Sequence, residues 1–353
     1  MVKYTNVFAK RFFNMLKESY LYHKLGKEKA RCNTCSHYCI LSEGQRGICG
    51  VRENQNGEIY ALNYGKACLI EVEPIEKNPF YHYLPGTKTL SVSSVGCNFN
   101  CHNCHTWQMS QEPKILKTIS GKDIPPEKIV KYAVKNNIPS ITYAHTEPTV
   151  FLEYAFNTMY QAKKAGLKNL WVTNGYFSKE ALEKISPYLN AVNVDLKGFS
   201  NEFYQENCGA ALSPILENLR ALKKKNIWVE VSTLAMPGIS DSEKMFKDIA
   251  AFIKNNLGPN APWHINQFHG HDSWKTQILP DTPMATLEKG YEIAKKTGLK
   301  YVYIGSFPGS EKQDTYCPEC KAKMIDRMQN SIKRYDRNGR CGRCGQGLNI
   351  ILG

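Results

Sequence analysis

The 353-residue sequence has no apolar run approaching the roughly 18 residues that a membrane-spanning helix needs. Met1 to Tyr20 is basic and aromatic, and it lacks the apolar core and small-residue cleavage site of a secretory signal. Internal repeats and low-complexity tracts are absent, which leaves an ordinary globular composition. Acidic residues are in deficit: 32 Asp and Glu against 46 Lys and Arg give a formal charge of +14. That balance favours anionic partners such as nucleic acid, a phosphorylated substrate or an acidic protein. The lysines are scattered in short runs such as Lys223-Lys224-Lys225 rather than gathered in one tract, so nucleic acid is the less favoured partner. Together these absences predict a cytoplasmic protein without membrane partners.

Against that background the 13 cysteines need a reason. Reducing compartments seldom keep structural disulfides, and clustered cysteines there bind metal or do redox chemistry. Cys32, Cys35, Cys39 and Cys49 form one cluster; Cys97, Cys101 and Cys104 a second; Cys317, Cys320, Cys341 and Cys344 a third. Cys68 and Cys208 stand alone.

The clusters divide the chain. Residues 1–85 read as an N-terminal cysteine-rich metal-binding region. Residues 86–309 alternate strand-like and helix-like segments, and residues 310–353 read as a zinc-ribbon-like module. In the central region β-rich runs begin at Leu90, Ser140, Leu170, Ala191, Ile227, His264 and Tyr301. Helical patterns lie between them. Pro126 and Pro148 suit first turns, where a missing N–H costs nothing. Ser178 and Asp241 suit N-caps. Strands alternating with helices predict parallel βαβ units, and this many fit an α/β fold built as a partial or full TIM-like (β/α) barrel. In such barrels the chemistry sits at the C-terminal ends of the strands. The unusual polar residues cluster there: Cys97, Thr146 and Glu147, Asn174, then Asp195 and Lys197.

The segment Gly96-Cys97-Asn98-Phe99-Asn100-Cys101-His102-Asn103-Cys104-His105 spaces its thiols as Cys-x3-Cys-x2-Cys, in a loop after a strand. Three thiolates suit three irons of a cubane cluster and leave the fourth open. Structural sites fill every ligand position, whereas catalytic sites keep one free. A zinc site completed by His102 or His105 is the competing use of the same loop.

This spacing, and its place after the first strand, resemble the radical S-adenosylmethionine superfamily. Tyr143-Ala144-His145-Thr146-Glu147-Pro148-Thr149, Val172-Thr173-Asn174-Gly175-Tyr176, Asn193-Val194-Asp195-Leu196-Lys197, Leu234-Ala235-Met236-Pro237-Gly238 and Pro262-Trp263-His264 follow in family order. They resemble pyruvate formate-lyase activating enzymes. With its terminal cysteines, nearly all of the chain after about Arg31 resembles the radical enzyme of the AmmeMemoRadiSam system. The resemblance implies a barrel of the radical SAM type. It implies a [4Fe–4S] cluster on Cys97, Cys101 and Cys104, with S-adenosylmethionine chelating the free iron. Thr146 and Glu147 would then meet the methionine amino group, while Asn174, Asp195, Lys197 and His264 contact its carboxylate or the ribose. Reductive cleavage would yield methionine and a 5′-deoxyadenosyl radical that abstracts hydrogen from a protein or small-molecule substrate. An electron donor such as flavodoxin or ferredoxin is implied. The family usually has an aromatic residue before the third cysteine, near the adenine; here it is Asn103.

Each side chain also has a plainer use. Asp195 and Lys197 suit an ion pair, Glu147 a helix cap, Asn174-Gly175 a turn, and His264 a satisfied core position. Cys208 suits either radical relay near the barrel mouth or simple burial. The C-terminal pairs Cys317-x2-Cys320 and Cys341-x2-Cys344, about twenty residues apart, predict a tetrathiolate zinc site. The N-terminal quartet suits zinc or an iron–sulfur cluster, with His37 as an alternative ligand. A zinc-ribbon nucleic-acid-binding or RNA-modifying protein is the competing function, resting on charge and the outer cysteines.

Overall fold

The computed structural model describes residues 16–305, 310–327 and 332–353. The N-terminal residues up to 15, read above as lacking a signal sequence, and the 309/310 domain boundary lie at or outside those limits. The core is one eight-stranded sheet in sequential order. Its strands are β1 (Leu69–Pro74), β2 (Lys88–Ser93), β3 (Ser140–Tyr143), β4 (Lys168–Thr173), β5 (Ala191–Asp195), β6 (Trp228–Ala235), β7 (Trp263–Gln267) and β8 (Val302–Gly305). β2 to β8 are all parallel, and β1 pairs antiparallel with β2. Parallel strands are covered on both faces, so they read as continuous apolar runs. Ser140–Tyr143 is buried at every position, and Trp171 and Trp263 are fully enclosed.

The expected strands and helices form. Pro126–Lys135 buries Pro126, Ile129, Val130 and Ala133, one stripe at helical spacing. Pro148 opens a 3₁₀ turn, Pro148–Phe151, that leads into the helix Leu152–Lys164. Ser178 caps Lys179–Ile185 by accepting the Ala181 N–H at 3.0 Å. One cap moves: Ser242, not Asp241, accepts the Met245 N–H of Glu243–Asn256. The Asp241 carboxylate is engaged by the Gly238 N–H in the preceding turn, at 3.0 Å. No described helix is long and apolar enough to cross a membrane.

The segment before β1 folds as two small antiparallel sheets, Lys17–Glu18 with Arg52–Gln55 and Glu58–Ala61, and Tyr22–Gly26 with Lys29–Cys32 and Ile40–Leu41. It is fastened to the helix after β3 by an ion pair between Arg52 and Glu153 at 2.7 Å, with side chains 2% and 0% exposed. Ser19 Oγ and the Tyr20 N–H donate to the same carboxylate. The C-terminal strands Thr315–Tyr316, Lys323–Asp326 and Lys333–Arg334 form a third small sheet. Arg327 ties it to the Tyr81 carbonyl at 2.8 Å, and the Ile351 N–H donates to the His82 carbonyl at 2.8 Å.

Burial pushes the Glu153 carboxyl up, but the Arg52 guanidinium and its hydrogen bonds outweigh this and hold it below the usual carboxylate range. A depressed carboxyl contributes stability above its unfolded pKa and loses it as pH falls through the folded value. Glu153→Gln leaves a buried guanidinium without its counter-charge and should cost about 3–5 kcal/mol in urea unfolding. The same variant should flatten the acid limb of the stability–pH curve. Glu58→Gln, at the exposed pair with Lys24, should leave the midpoint unchanged.

Candidate active site

The parallel strands deliver their C-terminal ends to one cavity of about 810 Å³. Cys97, Cys101 and Cys104 line it, and so do Thr146, Glu147, Asn174, Asp195, Lys197 and His264. Every residue singled out by sequence for the central cofactor therefore reaches one space, although those residues come from five separate strands or the loops that follow them.

The cysteine loop leaves β2 through Gly96, at φ 106°. A Cβ there would sit 2.7 Å from Val51 Cγ1, so the N-terminal segment presses on the backbone that a side chain would displace. Beyond it, the Asn100 and His102 N–H groups donate to the carbonyls of Cys208 and Asn207, at 2.8 and 2.9 Å. Lys114 Nζ donates to the Phe99 carbonyl and to Asn100 Oδ1, both at 2.7 Å, and places a cation beside the thiols. Cys104 Sγ lies 3.3 Å from Ser110 Oγ. Cys208 is fully buried against Cys101, whose thiol is pushed up by that neighbour and by burial.

Glu147 is 3% exposed and accepts four hydrogen bonds. The Thr149 N–H and hydroxyl and the Thr173 hydroxyl donate to Oε1, and the Asn174 N–H donates to Oε2 at 2.8 Å. Its capping role and its place on the cavity wall coexist. Burial pushes its carboxyl up against those donors. Asn174 forms the expected turn, with Oδ1 accepting the Tyr176 N–H at 3.0 Å, and its Nδ2 donates to Asn98 Oδ1 at 2.7 Å. Asp195 and Lys197 do pair, at 3.1 Å, while both line the cavity. His264 is held through Nε2 by Glu230 at 2.8 Å and stacks on Tyr303, as a core histidine would. Its Nδ1 has no protein partner among the described residues, and neither does Asn103 Oδ1. Asn103 is 6% exposed and also lines the cavity.

Three lining or supporting residues escaped sequence reasoning. His145 adopts φ 65°, a left-handed conformation that costs a non-glycine residue energy, and its ring contacts Glu73 at 3.2 Å. Glu230 accepts the Tyr81 and His82 N–H groups as well as holding His264. His145 was visible as part of the strand-end motif, but its conformation was not. Glu73 and Glu230 act across long sequence separations that no local pattern carries.

The sulfurs differ in spread. Cys317, Cys320, Cys341 and Cys344 are the one group of three or more His, Cys, Asp or Glu side chains, among the described residues, whose donor atoms all lie within 4.8 Å of one another. The central triad and the N-terminal quartet are wider.

A sequence profile of the radical SAM superfamily matches residues 91–253. The pyruvate formate-lyase 1-activating enzyme of Escherichia coli is 23% identical over 239 residues, covering 62% of this chain and 93% of that one. Residues 91–253 are a radical SAM domain. A longer match is an uncharacterized protein of Methanocaldococcus jannaschii, 40% identical over 340 residues, which spans 96% of this chain and all of the relative. Among solved structures, a radical SAM methyltransferase of Sphaerobacter thermophilus shares the fold at a TM-score of 0.50 and 12% identity, over 62% of this chain and 66% of that one. This chain is accordingly an enzyme with a radical SAM domain, and its central sheet shares the fold of that methyltransferase.

The contact at Gly96 sets the path of its cysteine loop. Gly96→Ala should cost about 1–3 kcal/mol by overpacking. Combining it with Val51→Ala should recover part of that loss, read as a favourable coupling energy in a double-mutant cycle of thermal or urea unfolding.

Proposed function

We propose that Cys97, Cys101 and Cys104 hold a [4Fe–4S] cluster with one open iron, and that this enzyme cleaves S-adenosylmethionine there to abstract hydrogen from a substrate. The cavity that joins the three thiols to Thr146, Glu147, Asn174, Asp195, Lys197 and His264 carries this reading. The donor set fits the group. Three thiols are present in a half-buried loop, they are spread more widely than one ion requires, and Lys114 lies beside them to favour anionic sulfur. When bound, the cluster supplies one electron to the sulfonium and so breaks its C5′–S bond.

The protein's own residues then bind and orient. Lys197 offers a cation to the methionine carboxylate, and Asp195 sets the position of that cation through their 3.1 Å contact. Glu147 acts as a positioning residue, since its hydrogen bonds hold the ends of β3 and β4 at a fixed separation. Asn103 takes the place of the family's aromatic. Its unpartnered buried Oδ1 suits the exocyclic amine of adenine, a hydrogen-bond donor. We assign no substrate; the likeness to activating enzymes favours a protein as the site of hydrogen abstraction, by analogy of sequence alone.

The C-terminal quartet is read as structural zinc. A tetrahedron of ~2.3 Å Zn–S bonds has edges of about 3.8 Å. Here Cys317–Cys344 and Cys320–Cys341 stand 3.6 and 3.5 Å apart.

After anaerobic reconstitution with iron and sulfide, dithionite and S-adenosylmethionine should release 5′-deoxyadenosine, and Cys101→Ala should abolish release. A colourless, zinc-only protein that binds RNA tightly would sink this reading. Asn103→Ala should weaken S-adenosylmethionine binding about tenfold, the cost of one lost hydrogen bond in a buried site. Asn103→Gln should recover part of it in an equilibrium binding assay; equal affinity for all three chains would remove Asn103 from the adenine site.

A further inference from the structure

We infer that Cys32, Cys35, Cys39 and Cys49 hold a second iron–sulfur cluster, which passes single electrons to the central one by way of His37 and Asn98. The inference rests on the central cluster proposed above.

All four cysteines line one small enclosed cavity beneath the N-terminal sheets, and none is in a disulfide. Cys32, Cys35 and Cys49 are buried, at 6%, 9% and 6% exposure. Four thiols converging on one space, three of them buried, need a reason, because nothing about packing requires four of them. The spread of the sulfurs separates the two candidate occupants. Around a single tetrahedral zinc all four must stand about 3.8 Å apart. The C-terminal quartet meets that condition and the N-terminal quartet does not. In a cubane each cysteine binds a different iron corner, which holds the sulfurs farther apart. The central triad likewise falls outside that single-ion spacing, in the same chain.

The wall of the cavity suits an anionic cluster. Arg52 lines it, is 2% exposed, and has a buried Nε with no protein hydrogen-bond partner among the described residues. The rest of its guanidinium is engaged by Glu153, Ser19 and the Val150 carbonyl. The one N–H left over belongs to a cation that interacts with the Cys32 and Cys49 thiols, and hydrogen bonds to sulfur are one means by which proteins set cluster potentials. The Gly47 backbone borders the same space: a Cβ there would lie 3.8 Å, an ordinary contact distance, from both Cys39 Sγ and Cys49 Sγ.

Four cysteines close all four irons, so such a cluster has no open position for substrate and is suited to electron transfer. The route is short. His37 lies between Cys35 and Cys39 in the chain, and its Nε2 is 2.8 Å from the carbonyl of Asn98, the residue next to Cys97. On the other side, the Cys49 carbonyl is 3.2 Å from the point where a Gly96 Cβ would sit. In the transfer step the N-terminal cluster is oxidised by one electron and the central cluster reduced by one. No atom or proton moves, and a low-potential one-electron donor, an iron–sulfur or flavin protein, re-reduces the first.

Anaerobic reconstitution of the full chain tests this by metal content. Wild type should carry about eight irons and eight sulfides, and about one zinc. Cys35→Ala/Cys49→Ala and, separately, Cys97→Ala/Cys101→Ala/Cys104→Ala should each fall to about half the iron. Far-UV circular dichroism checks that both remain folded, and Cys35→Ser/Cys49→Ser serves as a second version of the first. The central variant should keep a reduced-cluster EPR signal that S-adenosylmethionine does not alter. Wild type with about four irons and about two zincs, together with an N-terminal variant that loses zinc rather than iron, would overturn the second cluster. Full iron in the central variant would instead overturn the central cluster. His37→Ala, at unchanged iron content, should slow several-fold the rise of the S-adenosylmethionine-sensitive EPR signal when reduced ferredoxin is the donor; an unchanged rate rules out the route.

Discussion

The geometry of the site hangs on one desolvated carboxylate. Glu147 is almost wholly buried at the cavity wall, so its charge is tolerable only if fixed donors surround it. Thr149 and Thr173 supply hydroxyls, and backbone N–H groups of Thr149 and Asn174 supply the rest. Those donors come from two neighbouring strand ends, which the carboxylate therefore holds in register. The polar thread continues outward. Asn174 Nδ2 donates to Asn98 Oδ1, and the Asn98 carbonyl meets His37 Nε2. A single run of hydrogen bonds thus joins the end of β3, the end of β4, the cysteine loop and the N-terminal cysteines. Breaking any member leaves a buried polar group unpaired, and such a penalty exceeds the small net gain from making the bond.

The three cysteine clusters look alike in sequence but not in space. Each offers thiols at two- or three-residue spacing, which serves equally for one zinc or for a cubane. What separates them is how far the second half of the site lies from the first. In the C-terminal module two Cys-x2-Cys turns meet face to face, with sulfurs 3.5 and 3.6 Å apart. In the N-terminal segment Cys49 arrives from a loop beyond the strand Ile40–Leu41, and the four sulfurs do not gather within single-ion distance. That spacing is set by tertiary contact, so local sequence does not carry it.

The same division governs what was legible elsewhere. Strands β2 to β8 were readable because parallel strands are buried on both faces and appear as short apolar runs. Their order followed from the alternation with helices, and the strand-end rule placed Thr146, Glu147, Asn174, Asp195 and Lys197 in one cavity. The antiparallel β1 was not readable: Leu69–Pro74 carries Glu71 and Glu73 within it, and its exposed residues Glu71, Val72 and Pro74 do not alternate with buried ones. With β1 missed, Glu73 and its contact to His145 were missed too. The cap at Ser242 rather than Asp241 is a smaller case. Both residues suit an N-cap, and the choice turned on which one the preceding Met236–Ser240 turn had already engaged.

A cavity wall in which nearly every polar atom is satisfied makes its exceptions informative. Glu147, Asn174, Thr146 and Glu230 spend their hydrogen bonds within the protein, and they serve by holding shape. Glu76 Oε2 and Ser232 Oγ on the same wall do not, nor, among the residues assigned to S-adenosylmethionine, do Asn103 Oδ1 and His264 Nδ1. Leaving a buried donor or acceptor unmade costs about 1–3 kcal/mol, which folding alone does not return. A bound molecule that pairs with one of these atoms recovers that cost, while one that cannot is excluded by it. Discrimination at this site therefore rests on the residues that the fold leaves unsatisfied, and the residues it satisfies most fully set the distances between them.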